Sequence, residues 1–159
     1  MPIAFVGLGA NLGEPAAQLQ AALRALNALP QTQVSKVSSF YRSAAIGPAG
    51  QPDYCNAVAQ LETTLAPEVL LDALLAIEDA AGRVRGERWG ARLLDLDLLT
   101  HGDTVCRSAR LTLPHPALGQ RDFVLLPLVE IAPEVFIPGL GSPRELLACL
   151  PTSQLAHWP

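Results

Sequence analysis

Cysteine, lysine, charge and long apolar runs are all scarce in this 159-residue chain, and each scarcity removes a class of protein. Cysteine occurs three times, at Cys55, Cys106 and Cys149, widely spaced and with no C-x-x-C pair. That spacing indicates neither a disulfide framework nor a zinc site, and it points to reducing cytosol. Lysine occurs once, at Lys36, outside any G-x-x-x-x-G-K-[S/T] loop, which excludes a P-loop kinase. Charged residues make up only 16% of the chain and the net charge is −4, so a broad nucleic-acid footprint is not expected. No apolar run approaches the ~20 residues that cross a bilayer. No basic segment precedes Pro2-Ile3-Ala4-Phe5-Val6, which argues against a signal peptide.

Half of the residues are hydrophobic, a composition far from the disordered class. The length suits one domain, residues 1–159, and a chain of this size buries roughly 70% of its unfolded surface without needing a structural metal. The cations are almost all arginine, ten in number, and four of them (Arg83, Arg85, Arg88 and Arg92) fall in one ten-residue window. The planar guanidinium fork suits phosphate oxygens better than an ammonium does. An arginine cluster in an acidic protein suggests a small polyanion such as a nucleotide.

Periodicity orders the chain. Residues 3–9 read as a buried strand, and Leu19, Ala22, Leu23, Leu26 and Leu29 as a helix that stops at Pro30. Val34, Val37, Phe40 and Tyr41 suggest an irregular second strand. A Gly/Pro-rich loop spans 43–53. A third strand runs from about Tyr54 to Leu65, followed by a helix from Pro67 to about Ala81, with Gly82 ending it. The arginine-rich segment 83–92 is a second loop, and Leu93 to Leu99 a fourth strand. Gly102-Asp103 makes a turn, with a short hairpin through Val105 and Cys106. Helices are expected near 121–132 and 143–150. The order is βαββαβ with additions, read as an α+β sandwich on a mostly antiparallel sheet.

The sharpest chemical feature is Asp95-Leu96-Asp97. Strand alternation turns both carboxylates to one face and Leu94, Leu96 and Leu98 to the other. Two acids so placed in an apolar strand repel one another unless a cation compensates them. Magnesium takes one or two carboxylates and completes its shell with water and phosphate oxygens. A frayed strand end with two solvated acids is the plainer reading of D-x-D alone, but the adjoining arginine run favours the metal. That run, Arg83-Val84-Arg85-Gly86-Glu87-Arg88-Trp89-Gly90-Ala91-Arg92, can clamp a magnesium triphosphate from the opposite side. Strict alternation would put Arg92 on the wrong face, so the strand is expected to begin after it.

Weaker signals accompany these. Glu78 lies near the apolar stripe of its helix, either partnered or reaching water. His115 stands in the proline-bracketed turn Leu113-Pro114-His115-Pro116, suited to phosphate contact or proton handling. Tyr54 and Asn56 share a strand face, a platform for a flat heterocycle. Gly7-Leu8-Gly9-Ala10-Asn11-Leu12-Gly13 approaches a dinucleotide fingerprint, but its G-x-G-x-x-x-G spacing is one residue too long. Three rivals stay open on the residues alone: a γ-phosphoryl kinase, a nucleotide-binding regulatory module without catalysis, and a nicotinamide-dependent oxidoreductase, the last weakened by the glycine spacing.

Taken together, these segments resemble the 6-hydroxymethyl-7,8-dihydropterin pyrophosphokinase family. The resemblance extends from Gly7 to about Pro133. It is carried by Arg83-Val84-Arg85 with Glu87 to Leu98, by Gly47-Pro48, Gln51-Pro52-Asp53-Tyr54 and Asn56, by Leu113-Pro114-His115, and by Arg121-Asp122-Phe123-Val124-Leu125 with Pro127-Leu128. It implies a ferredoxin-like fold and transfer of diphosphate from ATP to the pterin hydroxymethyl group, releasing AMP, in folate biosynthesis. It also implies two Mg2+ ions on Asp95 and Asp97, with Arg83 and Arg92 acting on the transferring group. Glu78, Arg85, Arg88, Trp89, Leu98, Arg110, Thr112, His115 and Arg121 would line the ATP site. The pterin would stack between Tyr54 and Phe123, its edge read by Asn56 and by the backbone around Ser43, Ala44 and Ile46. The expected partners are these small molecules, not nucleic acid or membrane, and the chain is expected to act as a cytoplasmic monomer. Ala10, the Ala44-Ala45 pair, Leu75, Pro116 and a shorter arginine loop depart from the best-known members.

Overall fold

The computed structural model describes residues 2–44, 52–81, 94–151 and 155–159. Its frame is an antiparallel sheet flanked by helices on both faces. The chain runs β1 (Ile3–Ala10), α1 (Pro15–Asn27), β2 (Thr32–Val37), β3 (Tyr41–Ser43), β4 (Tyr54–Thr63), α2 (Pro67–Ala80) and β5 (Asp95–His101). Then follow β6 (Cys106–Arg107), β7 (Thr112–Leu113), α3 (Asp122–Ile131), α4 (Pro143–Ala148) and β8 (Ala156–His157). The main sheet is ordered β5-β1-β4-β3-β8, with β2 also paired to β4, and every pairing is antiparallel. Reading β5-β1-β4-β2 across it gives the strand order of a ferredoxin-like βαββαβ sandwich, as expected.

Alternation along the strands divides the core in two. Ala4, Val6 and Leu8 of β1, Ala57, Ala59 and Leu61 of β4, and Leu96 and Leu98 of β5 pack under Leu19, Ala22 and Leu26 of α1 and Leu70 and Leu74 of α2. The opposite face puts Phe5, Val58 and Leu99 against Val124, Leu125 and Leu128 of α3. Covering both faces explains why β4 is buried along most of its length rather than every second residue. Proline opens α1, α2 and α4, where the first turn has no internal use for its missing N–H. A capping box of Ser142 and Glu145 also starts α4.

Several details go beyond or differ from the sequence reading. The irregular second strand is two, β2 and β3, broken at Ser38, whose hydroxyl accepts from Val58 N at 3.0 Å in place of a regular ladder bond. The fourth strand starts at Asp95 rather than Leu93 and runs on to His101; its late start agrees with the constraint Arg92 imposed. A register shift between Phe5 and Val6 of β1 gives β5 its irregularity. The short hairpin joins Cys106–Arg107 to Thr112–Leu113, not to the strand before Gly102, because Ser108 closes its turn by donating N–H and Oγ–H bonds to Leu111 O. The C-terminal strand β8, two residues long, was below what periodicity reveals.

Candidate active site

On the α3 face, the edge of β5 and the centre of the sheet meet around one cavity of about 210 Å³. Its lining includes Asp95 and Asp97 from β5, Tyr54 and Asn56 from β4, Ser43 and Ala44 at the end of β3, and Arg121 and Phe123 at the start of α3. Residues expected at separate subsites thus share a single depression.

Strand register explains the meeting. Gly9 pairs with Asp95 on one side and Asn56 on the other, and Gly7 pairs with Asp97 and Val58. Both glycines point to the α3 face, opposite Val6 and Leu8, so the floor between carboxylates and wall carries no side chain. A Cβ on Gly9 would stand 3.4 Å from Asn56 Oδ1. Gly7 and Gly9 line the cavity but were given no site role from sequence. Their spacing was visible there; that they lie between the acids and the amide follows only from strand pairing.

The polar groups are tied to each other. Asn56 Nδ2 donates to Ser43 Oγ at 2.6 Å, which orients the amide toward the cavity edge. Arg121 lies 3.6 Å from Asp97 Oδ2, both side chains partly exposed, and its guanidinium stands 5.5 Å from the Phe123 ring centroid. A cation on the ring face holds Arg121 between acid and aromatic.

Other expected site residues fall around or behind this cavity. The main-chain N–H of His115 donates to Leu99 O at 2.8 Å, and its ring Nδ1 accepts from Ala117 N at 3.1 Å, so the neutral ring carries its proton on Nε2. Burial lowers the His115 pKa from its usual value; the Asp97 charge opposes that and the Arg121 charge adds to it. Thr112 is half-buried in β7. Arg110 is on the surface, paired with Asp72 of α2. Leu98 is only 3% exposed and belongs to the core beneath α1 and α2, so its side chain is not part of the cavity. Glu78 is buried, resolving the choice between partner and water: its Oε2 accepts from Leu96 N at 2.7 Å, the main-chain donor between the two aspartates. It therefore fastens α2 to β5 from behind. Arg83, Arg85, Arg88, Trp89, Arg92 and Ile46 lie outside the described residues.

The donor set fits magnesium. Asp95 and Asp97 offer hard oxygen ligands on one cavity wall, and among the described residues no cluster of three or more His, Cys, Asp or Glu forms a complete cage. Two carboxylates beside an open space suit an ion that keeps several sites for water and phosphate.

The sequence pattern of the family described as 7,8-dihydro-6-hydroxymethylpterin-pyrophosphokinase matches residues 5–133. A Haemophilus influenzae 2-amino-4-hydroxy-6-hydroxymethyldihydropteridine pyrophosphokinase is 49% identical over 147 residues, covering 92% of each chain. The enzyme of the same name from Pseudomonas aeruginosa is 48% identical over 155 residues, covering 98% of this chain and 96% of that one. Among solved structures, a triple mutant of Plasmodium falciparum HPPK-DHPS superposes with a TM-score of 0.73 at 14% identity, covering 92% of this chain and 43% of that one. That likeness bears on the fold and agrees with the sheet order described above. By the extent of its match and the identity of its full-length relatives, this chain belongs to the 7,8-dihydro-6-hydroxymethylpterin pyrophosphokinase family.

Proposed function

We propose that the α3-face cavity is where diphosphate passes from ATP to the hydroxymethyl group of 6-hydroxymethyl-7,8-dihydropterin, releasing AMP, a step of folate biosynthesis. The observation that carries this reading is the convergence of Asp95 and Asp97 with Tyr54, Asn56 and Phe123 on one cavity. Paired carboxylates suit a metal-chelated triphosphate, and an amide between two aromatics suits a flat heterocycle with a hydrogen-bonding edge.

The pterin ring lies between Tyr54 and Phe123, with Asn56, held by Ser43, reading its edge. This points the hydroxymethyl oxygen toward the aspartates. That oxygen gives up its proton to water and bonds to the β-phosphorus as the bond from β-phosphorus to the α,β-bridging oxygen breaks, and the bridging oxygen leaves on AMP. Asp95 and Asp97 would hold the two Mg2+ ions, and the chemistry those ions would supply is neutralisation of phosphate charge. Arg121 approaches from α3, and Arg83 and Arg92 complete the clamp on the transferring group. Arg85, Arg88, Trp89, Arg110, Thr112 and His115 line the nucleotide side. Arg110 reaches phosphate by exchanging Asp72 for it, at little cost because exposed ion pairs are weak. Leu98 takes part through its main chain, and Glu78 through the strand it fastens. The three free thiols are in keeping with the cytosol, and among the described residues no helix is long and apolar enough to cross a membrane. In this reading the chain acts as a monomer.

The test is incubation with ATP, magnesium and the dihydropterin, followed by identification of the nucleotide product. AMP supports diphosphate transfer; ADP would make the protein an ordinary kinase. For Phe123→Ala we expect about 10- to 100-fold weaker dihydropterin binding by calorimetry, the usual loss when an aromatic platform is removed from a stacked heterocycle. Affinity for a magnesium-bound ATP analogue should change little.

A further inference from the structure

The width of the slot between Phe123 and Tyr54 is set by how α3 sits on the sheet, and one side chain of α3 ties that helix to the chain entering β3. Glu130 is seven residues beyond Phe123 on α3, two helical turns along the same face. Its carboxylate accepts from Tyr41 Oη at 2.6 Å, from Ser39 N at 2.9 and 3.0 Å, and from Ser39 Oγ at 2.9 Å. Three donors from one short stretch of chain thus converge on a carboxylate about ninety positions away in sequence. Charge-assisted bonds of this kind are about twice as strong as neutral ones.

The stretch so held leads directly into the slot's lining at Ser43 and Ala44. Tyr41 pairs directly with Asn56, and Ser43, two residues on and on the same face, bonds to the Asn56 amide. Across the sheet, Asp95, Gly9, Asn56, Tyr41 and His157 form one continuous row, each paired with the next. His157 stacks on Tyr41 with ring centroids 4.9 Å apart, and Arg42 lies 4.9 Å from the Trp158 ring centroid. The row therefore ends in a braced anchor rather than a free edge. The titration behaviour agrees: burial raises the Glu130 pKa, but the bonds from Tyr41 and Ser39 and the charge of His157 outweigh it and lower the carboxyl from its usual value. Tyr41 is pushed up to about 12, by burial first and then by Glu130.

We infer that Glu130 is a positioning residue for the heterocycle, clamping α3 onto β3 so that Phe123 and the Tyr54–Asn56–Ser43 wall stay one ring-thickness apart. This rests on the placement of the pterin between Tyr54 and Phe123. Glu130 is itself exposed on the outer side of the clamp, so its role is to hold the slot.

The test measures dihydropterin affinity by calorimetry in the presence of a saturating, non-hydrolysable ATP analogue with magnesium, beside the affinity for that analogue alone. Glu130→Ala should weaken dihydropterin binding about tenfold and change analogue binding less than about twofold. Glu130→Gln, which still accepts from Tyr41 and Ser39, should recover part of the loss. Tyr41→Phe, which keeps the ring and removes one donor, should weaken dihydropterin binding about threefold; it decides the matter if Glu130→Ala does not fold. Wild-type dihydropterin affinity in Glu130→Ala, or in Tyr41→Phe where that variant decides, overturns the clamp. So does an equal loss for both ligands. Unchanged dihydropterin binding in Phe123→Ala removes the slot and the clamp with it, whereas a loss in Phe123→Ala without one in Glu130→Ala removes the clamp alone.

Discussion

Asp97→Ala is expected to give a folded protein with turnover lowered about a thousandfold. A metal ligand on the transferring group contributes several kcal/mol to the transition state, and about 4 kcal/mol corresponds to that factor. The fold should tolerate the change. Asp97 faces the cavity, and its ion pair with the partly exposed Arg121, at 3.6 Å, contributes little to stability. Thermal unfolding should therefore stay close to wild type while product formation in magnesium falls. Wild-type turnover would remove Asp97 from the mechanism.

Leu74→Ala should show the reverse. Leu74 is fully buried between α2 and the sheet, in the core that supports Leu96 and Leu98 from beneath. Truncating such a leucine costs about 3 kcal/mol, because the cavity it leaves collapses only in part. In a chain of this size the melting temperature should drop by roughly 6–12 °C. Well below that temperature the aspartates keep their places, since their strand is also paired with β1 and bonded to Glu78. The expected result is a less stable enzyme with nearly wild-type kcat. An unchanged melting temperature would mean that α2 is not packed as described.

The opposition between these substitutions follows from strand alternation, which is also what made the fold legible. Leu96 and Leu98 belong to the core because Asp95 and Asp97 do not, and the period of two announced both. The helices over 15–27 and 67–80 were equally plain from their apolar spacing. Register was not legible. Nothing local to Gly9 says that it lies between Asp95 and Asn56, or that Tyr41 continues the row to His157. Glu78 shows the same limit: its place near an apolar stripe said that it was partnered or wet, and only the packing of α2 on β5 supplied Leu96 N as the partner. Nothing local marks Glu130 either, since its donors lie about ninety residues away. Strand β8 is too short to carry a period and forms only because β3 offers it an edge.

In the proposed mechanism, Asp95, Asp97 and the arginines share a metal-bound triphosphate beside the pterin slot. Counting bound Mn2+ by electron paramagnetic resonance, with a non-hydrolysable ATP analogue and dihydropterin both saturating, tests this most directly. Wild type should take up two ions per chain, and Asp95→Ala and Asp97→Ala fewer, with the analogue still present. The same count in all three proteins would place the metal elsewhere and contradict the account.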